Sequence, residues 1–212
     1  MSRLTDVVKN LIIINVIIFF GSLMLSDLLG NAILYGRLYF VESPNFRPFQ
    51  IVTSMFLHAD LGHLFMNMLG LFFLGPVVEQ TLGGKRFLIL YLLAGLGGSF
   101  LHMGVDYIKV LNMGCVECIP YDNLIRTGAL GASGCVFGVV VAFITMFPRE
   151  KLILFPIPIP IRAMFLGLGL VGFSLFAGIT DTTPGGIGHF AHLGGAIVGF
   201  IMIHYWKMAN LR

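Results

Sequence analysis

The chain has 212 residues, of which 57% are hydrophobic and only 11% charged, and its mean hydropathy is +0.93. That apolarity excludes an ordinary soluble domain, and a net charge of +3 without any basic run gives no footing for nucleic acid as a partner. At least five stretches are long enough to cross a hydrocarbon core of roughly 30 Å, which takes about 20 helical residues. The chain reads as an integral membrane protein.

In chain order, Arg3 and Lys9 precede an apolar stretch at 11–25. It is longer than a signal core of about 7–15 residues and no small-x-small cleavage site follows, so it reads as a retained anchor, a helix near 11–29. Residues 30–57 carry Tyr35, Tyr39, Phe40, Phe46 and Phe49 among scattered polar groups. They are too interrupted to span and are expected as a long membrane-associated loop in the headgroup region. Further helices are expected near 60–78, 87–105, 128–147, 161–179 and 188–206. Gly83-Gly84-Lys85-Arg86 separates the second from the third, and Pro148-Arg149-Glu150-Lys151 ends the fourth. Pro156, Pro158 and Pro160 delay the fifth, and the stretch 181–186, with Pro184, precedes the sixth. The expected fold is an all-α bundle of six transmembrane helices in a single domain over 1–212.

Lys and Arg set the orientation. With an even number of spans, Arg3, Lys9, Lys85, Arg86, Arg149, Lys151, Arg162, Lys207 and Arg212 share one side, nine of the thirteen basic residues. The other side has Arg37, Arg47, Lys109 and Arg126. The excess places both termini in the cytoplasm, and a bacterial plasma membrane is the expected location.

Two stretches put a reactive side chain inside these spans: Gly131-Ala132-Ser133-Gly134 and Ala191-His192-Leu193-Gly194-Gly195. Buried in lipid, such groups are costly unless they meet a partner or a wet cavity. At about 1.5 Å per residue, Ser133 lies roughly 8 Å below its expected helix start, His192 roughly 6 Å and Asn67 about 10 Å, all from the outer face. Three helices thus deliver polar groups to one shallow layer. Serine needs a base to become a nucleophile, and neutral imidazole is the usual one. Ser133 and His192 are the expected pair, as a dyad, because no Asp or Glu in the outer half of a span is in a position to orient the imidazole. His63 and Asn67, four apart on one helix face, and the Ser133 N–H are candidate donors to an oxyanion. Gly131, Gly134 and Gly138 on one helix, and Gly188, Gly195 and Gly199 on another, form small-residue stripes that let backbones approach closely.

Each signal has a bland reading. A lone transmembrane serine usually bonds its own helix, a His and an Asn at that spacing are often interhelical glue, and a glycine stripe alone means packing. His58 and His189 sit near the outer rim, where solvation or support is expected; His102 and His204 read as structural. Phe137, one turn after Ser133, can pack on an imidazole or into the core. Cys115 and Cys118 read as a loop disulfide or idle thiols, since one C-x-x-C lacks the rest of a zinc site. No metal or other cofactor is expected.

At these residues the chain resembles the rhomboid intramembrane serine proteases. Gly131-x-Ser133-Gly134, His192-x-x-Gly195-x-x-x-Gly199, His58-x-x-x-x-His63-x-x-x-Asn67 and Glu79-x-x-x-Gly83-x-x-Arg86-Phe87-x-x-x-Tyr91 are similar to that family's patterns, in order and spacing. The resemblance implies Ser133 as nucleophile, His192 as base, and His63, Asn67 and the Ser133 amide around the oxyanion. It also implies Phe137 stacked on the base, where some members carry Tyr, and a mobile fifth helix and following loop. The implied partners are transmembrane segments of single-pass membrane proteins, cut near their outer ends, and membrane lipid. One departure is the loop between the first two spans, where the family often carries Trp-Arg and this chain has Phe49-Gln50.

Other classes fit less well. No His-Glu-x-x-His and no pair of intramembrane aspartates exists, which removes zinc and aspartyl proteases. A transporter would call for mid-membrane ionisable residues and broken repeats. A rhomboid-like pseudoprotease that binds and escorts helices shares the fold and is separated only by the dyad.

Overall fold

The computed structural model describes residues 4–29, 32–112, 129–153, 160–180 and 188–209. Its helices are α1 (Asp6–Leu29), α2 (Ala32–Gly36), α3 (Gln50–Thr53), α4 (Leu61–Leu82), α5 (Gly84–Asn112), α6 (Ser133–Met146), α7 (Ala163–Thr180) and α8 (His189–Met208). A 3-10 turn at Ser54–Phe56 leads toward α4. The two strands, β1 (Lys151–Ile153) and β2 (Pro160–Arg162), pair antiparallel between α6 and α7, with Lys151 opposite Arg162. Among the described residues the architecture is an all-α membrane bundle with this small strand pair between α6 and α7.

Four helices among the described residues are long and apolar enough to cross a membrane: α1, α4, α5 and α7. The expected fourth and sixth spans fall short of that measure for separate reasons. α6 has 14 residues, which span roughly 21 Å at about 1.5 Å each. α8 has 20 residues, but His189, His192 and His204 dilute its apolarity.

Three boundaries depart from the sequence reading by five residues or more, the first being the start of α1, expected at 11 and found at Asp6. The fourth helix was expected from residue 128 and begins at Ser133, because Gly131 has a φ of +130°, outside any helix. The third was expected to stop near residue 105 and runs to Asn112. Its polar end is compatible with helix, since His102 and Asp106 pair one turn apart at 3.3 Å and no proline intervenes.

The centre of the bundle is α5, α6 and α8, which pack against one another more extensively than any other elements. Glycine makes this possible. A methyl at residue 98 would lie 2.6 Å from the Ala191 carbonyl oxygen, and one at residue 134 would lie 3.3 Å from the same atom. A methyl at Gly195 would collide with the Gly134 carbonyl, and one at Gly199 with that of Gly138. Around this centre α4 packs on α6 and α1 on α4.

Two polar side chains lock the periphery. Glu79, near the end of α4, accepts from the Thr5 hydroxyl at 2.5 Å and from the Val7 and Val8 N–H groups at 3.2 and 2.9 Å. It thereby caps the start of α1, where amide protons lack intrahelical partners. Gln50, only 1% exposed, holds the connection between α1 and α4. Its amide donates to the Tyr35 and Asn45 carbonyls at 2.9 and 3.0 Å and its oxygen accepts from the Arg47 N–H at 3.0 Å. At the position where the Trp-Arg pair was missed, a glutamine therefore anchors the loop.

Adding a methyl to the α6–α8 seam through Gly195→Ala is expected to destabilise the fold by about 1–3 kcal/mol, the usual cost of overpacking. Thermal unfolding in detergent measures this, and an unchanged midpoint would mean that the seam has room.

Candidate active site

Ser133 stands at the head of α6, half-buried. The chain reaches it in an irregular turn held from the side. The Gly131 N–H donates to the Ser54 carbonyl at 2.8 Å, and Leu38 and Ala129 exchange two backbone hydrogen bonds of 2.8 Å. The connection between α1 and α4 is thus the wall against which the turn rests. As the first helical residue, Ser133 leaves its N–H without an intrahelical acceptor. The depth expected from a helical turn is here covered by residues 129–132 instead.

His192 lies in the first turn of α8, also half-buried. The Phe137 ring lies flat on its imidazole, with centroids 4.2 Å apart and planes 9° from parallel. Phe137 follows Ser133 by four residues, so the two share a helix face. With Gly134 against Ala191 and Gly195 against Gly134, the backbones bearing Ser133 and His192 meet within one turn of either residue. Among the described residues no hydrogen bond joins Ser133 to His192. The polar neighbour of the imidazole is Ser174 of α7, whose Oγ is 3.4 Å from Nδ1.

His63 and Asn67 come from α4. Asp60 caps that helix, its carboxylate accepting from the His63 N–H at 2.8 Å, which fixes where α4 begins. The His63 ring faces the turn before Ser133: a methyl at Gly131 would lie 2.7 Å from both Cε1 and Nε2. Asn67 is buried and its amide donates to the His63 carbonyl at 2.9 Å. That bond uses one of the two N–H donors of the amide.

His58 and His189 are buried rather than solvated, at 0% and 5% exposure. The His58 ring meets that of His63 at 5.1 Å, and His189 meets His192 edge to face at 5.8 Å. Both rims are roofed by neighbouring elements, so these rings support the inner pair. Burial, with His63 adding to it, pushes the His58 pKa down from 6.5 to about 4. His102 is paired with Asp106, and His204 packs on Phe200. Among the described residues no three His, Cys, Asp or Glu side chains are grouped to hold a metal. Cys135 is free and buried; Cys115 and Cys118 lie outside the described residues.

Ser174 and the Ser54 tie are absent from the sequence reading. Ser174 had a signal: it shares the buried face of α7 with Gly167, Ala177 and Gly178, a small-residue stripe with one polar member. The Ser54 tie is a backbone contact and has none.

A family described as Rhomboid domain matches residues 45–208. The chain belongs to the rhomboid family. Among its rhomboid relatives, RHOMBOID-like protein 12, mitochondrial, of Arabidopsis thaliana is 37% identical over 152 residues, 71% of this chain and 44% of that protein. Rhomboid protein 1, mitochondrial, of Saccharomyces cerevisiae is 33% identical over 160 residues, 76% of this chain and 42% of that protein. Rhomboid protease AarA of Providencia stuartii is 25% identical over 218 residues, 95% of this chain and 75% of that protein. The chain spans less than half the length of the first two. The matched region includes Ser54 and every element that carries Ser133, His192, His63 and Asn67 in this rhomboid chain, and begins after Leu38.

Two measurements follow from the site's surroundings. Gly131→Ala is strained at its φ and pushes on the His63 ring, so it is expected to lower stability by about 1–3 kcal/mol. Detergent melting curves read the loss. For His58 the folded pKa lies below the unfolded value of 6.5. At higher pH both states are neutral; as pH falls from about 6.5 to about 4 the unfolded state gains the proton first, so folding stability declines across that window. His58→Gln is expected to flatten the decline in a pH series of unfolding midpoints.

Proposed function

We propose that this rhomboid-family chain is an intramembrane serine endopeptidase that cuts transmembrane segments of single-pass membrane proteins near their outer ends. The observation that carries the reading is the glycine contact of α6 with α8, which sets Phe137 flat on His192 one turn from Ser133.

In this mechanism the Ser133 Oγ attacks the scissile carbonyl carbon while His192 Nε2 takes the hydroxyl proton. The resulting oxyanion is met by the Ser133 N–H, His63 and the free N–H of Asn67. A single donor at such a site is worth roughly 3–4 kcal/mol. Collapse breaks the C–N bond, and His192 returns its proton to the departing amine. Water then attacks the acyl-enzyme ester with His192 again as base, releasing the acid and regenerating Ser133.

The substrate helix enters sideways between α4 and α7. α7 rests mainly on α8 and less on α6, and has no comparable packing on α4. Entry there requires little of the core to move. α6 and α8 complete six crossings, with both termini cytoplasmic and the site open to the outer face of a bacterial plasma membrane. Lipid is the surrounding partner, no cofactor takes part, and nucleic acid has no role.

Ser133→Ala is expected to reduce cleavage of a transmembrane reporter by at least about 1,000-fold, with unfolding behaviour near wild type. A fluorophosphonate probe should label the wild-type chain at Ser133. A wild-type chain that binds the reporter helix without labelling or cleavage would instead be a pseudoprotease that escorts helices.

A further inference from the structure

Stacking on Phe137 leaves the His192 ring underdetermined. A half-turn about Cβ–Cγ keeps the plane parallel to Phe137 but exchanges the positions of nitrogen and carbon atoms around the ring. An apolar face cannot distinguish these two states. Only a polar contact at the ring edge can do so, and among the described residues Ser174 supplies it, at 3.4 Å from Nδ1.

Ser174 is suited to this. It is 1% exposed and is the polar member of the buried face of α7, whose other buried residues are Ala163, Gly167, Ala177 and Gly178. A hydroxyl so far from water costs free energy unless it is hydrogen-bonded. A neutral imidazole has one N–H and one lone pair. If the Nδ1–H donates to Ser174 Oγ, the Nε2 lone pair is left for a proton from Ser133. If instead the hydroxyl donated to Nδ1, the proton would sit on Nε2 and the ring could not act as a base.

We propose that Ser174 is a positioning residue that holds His192 in the ring orientation and tautomer with Nδ1 protonated and Nε2 turned to Ser133. This rests on the assignment of His192 as the base. It replaces the unassisted dyad of the sequence reading with a dyad oriented by a neutral third group. A hydroxyl brings no charge into the membrane, where a carboxylate would be expensive. It also comes from α7, the least packed of the helices around the site, so displacement of α7 releases the ring.

The test uses the full chain in detergent micelles with a fluorogenic transmembrane peptide, comparing wild type, Ser174→Ala, Ser174→Thr and Ser133→Ala. Ser174→Ala is expected to lower kcat about five- to tenfold with KM unchanged, the loss of one hydrogen bond acting on the chemical step. Ser174→Thr, which keeps the hydroxyl, is expected to recover most of that loss. Nitrogen-15 NMR of His192 should show the Nδ1–H tautomer in wild type and a mixture in Ser174→Ala. An unchanged kcat in Ser174→Ala, or a wild-type ring protonated on Nε2, overturns the proposal. So does a variant whose activity falls only in step with its thermal stability while the tautomer stays the same. If wild type cleaves no better than Ser133→Ala, the protease reading falls, and the tautomer measurement still decides whether Ser174 sets the ring.

Discussion

Direct backbone contact between α6 and α8 is the constraint from which the site's geometry descends. In lipid, helices gain little from burying apolar side chains against each other, so close association depends on van der Waals contact between small residues. Gly134 and Gly138 on one helix meet Gly195 and Gly199 on the other without a side chain between them. A hydroxyl and an imidazole are short groups. They can share a site only if the helices carrying them are this close, and Phe137 can lie flat on His192 for the same reason.

The rest of the molecule sets depth and orientation. The connection between α1 and α4, pinned by Gln50, offers the Ser54 carbonyl to Gly131 and so decides where α6 begins. Asp60 decides where α4 begins, and with it the height of His63 and Asn67. These are hydrogen bonds to backbone groups that burial would otherwise leave unpaired. Each therefore restricts an element end more strongly than its own modest energy implies.

Most of the helices were legible in the sequence from apolar length and from breaks at Gly83, Pro148 and Pro160. The polar layer was legible too, because Ser133, His192, Asn67 and His63 are rare residue types in such surroundings. Where the reading failed, local composition pointed the wrong way. The start of α6 was placed too early because residues 129–132 are as apolar as helix, and only the backbone angle at Gly131 breaks it. The end of α5 was placed too early because the apolar run stops near residue 105, yet the helix continues through Asp106, which pairs with His102 one turn back. For His58 and His189 the sequence left solvation and support both open, and their burial, which no linear pattern reveals, removes the first. Ser174 escaped notice because a lone serine in an apolar helix ordinarily bonds its own backbone.

The contact between Glu79 and the beginning of α1 bears on how the protein is made. Thr5 and its acceptor are 74 residues apart. During synthesis α1 must wait with its first amides uncapped until the ribosome has delivered the far end of α4. Docking of α1 therefore waits for the synthesis of α4, and a nascent chain arrested before Glu79 would leave that helix free to drift from its future neighbours.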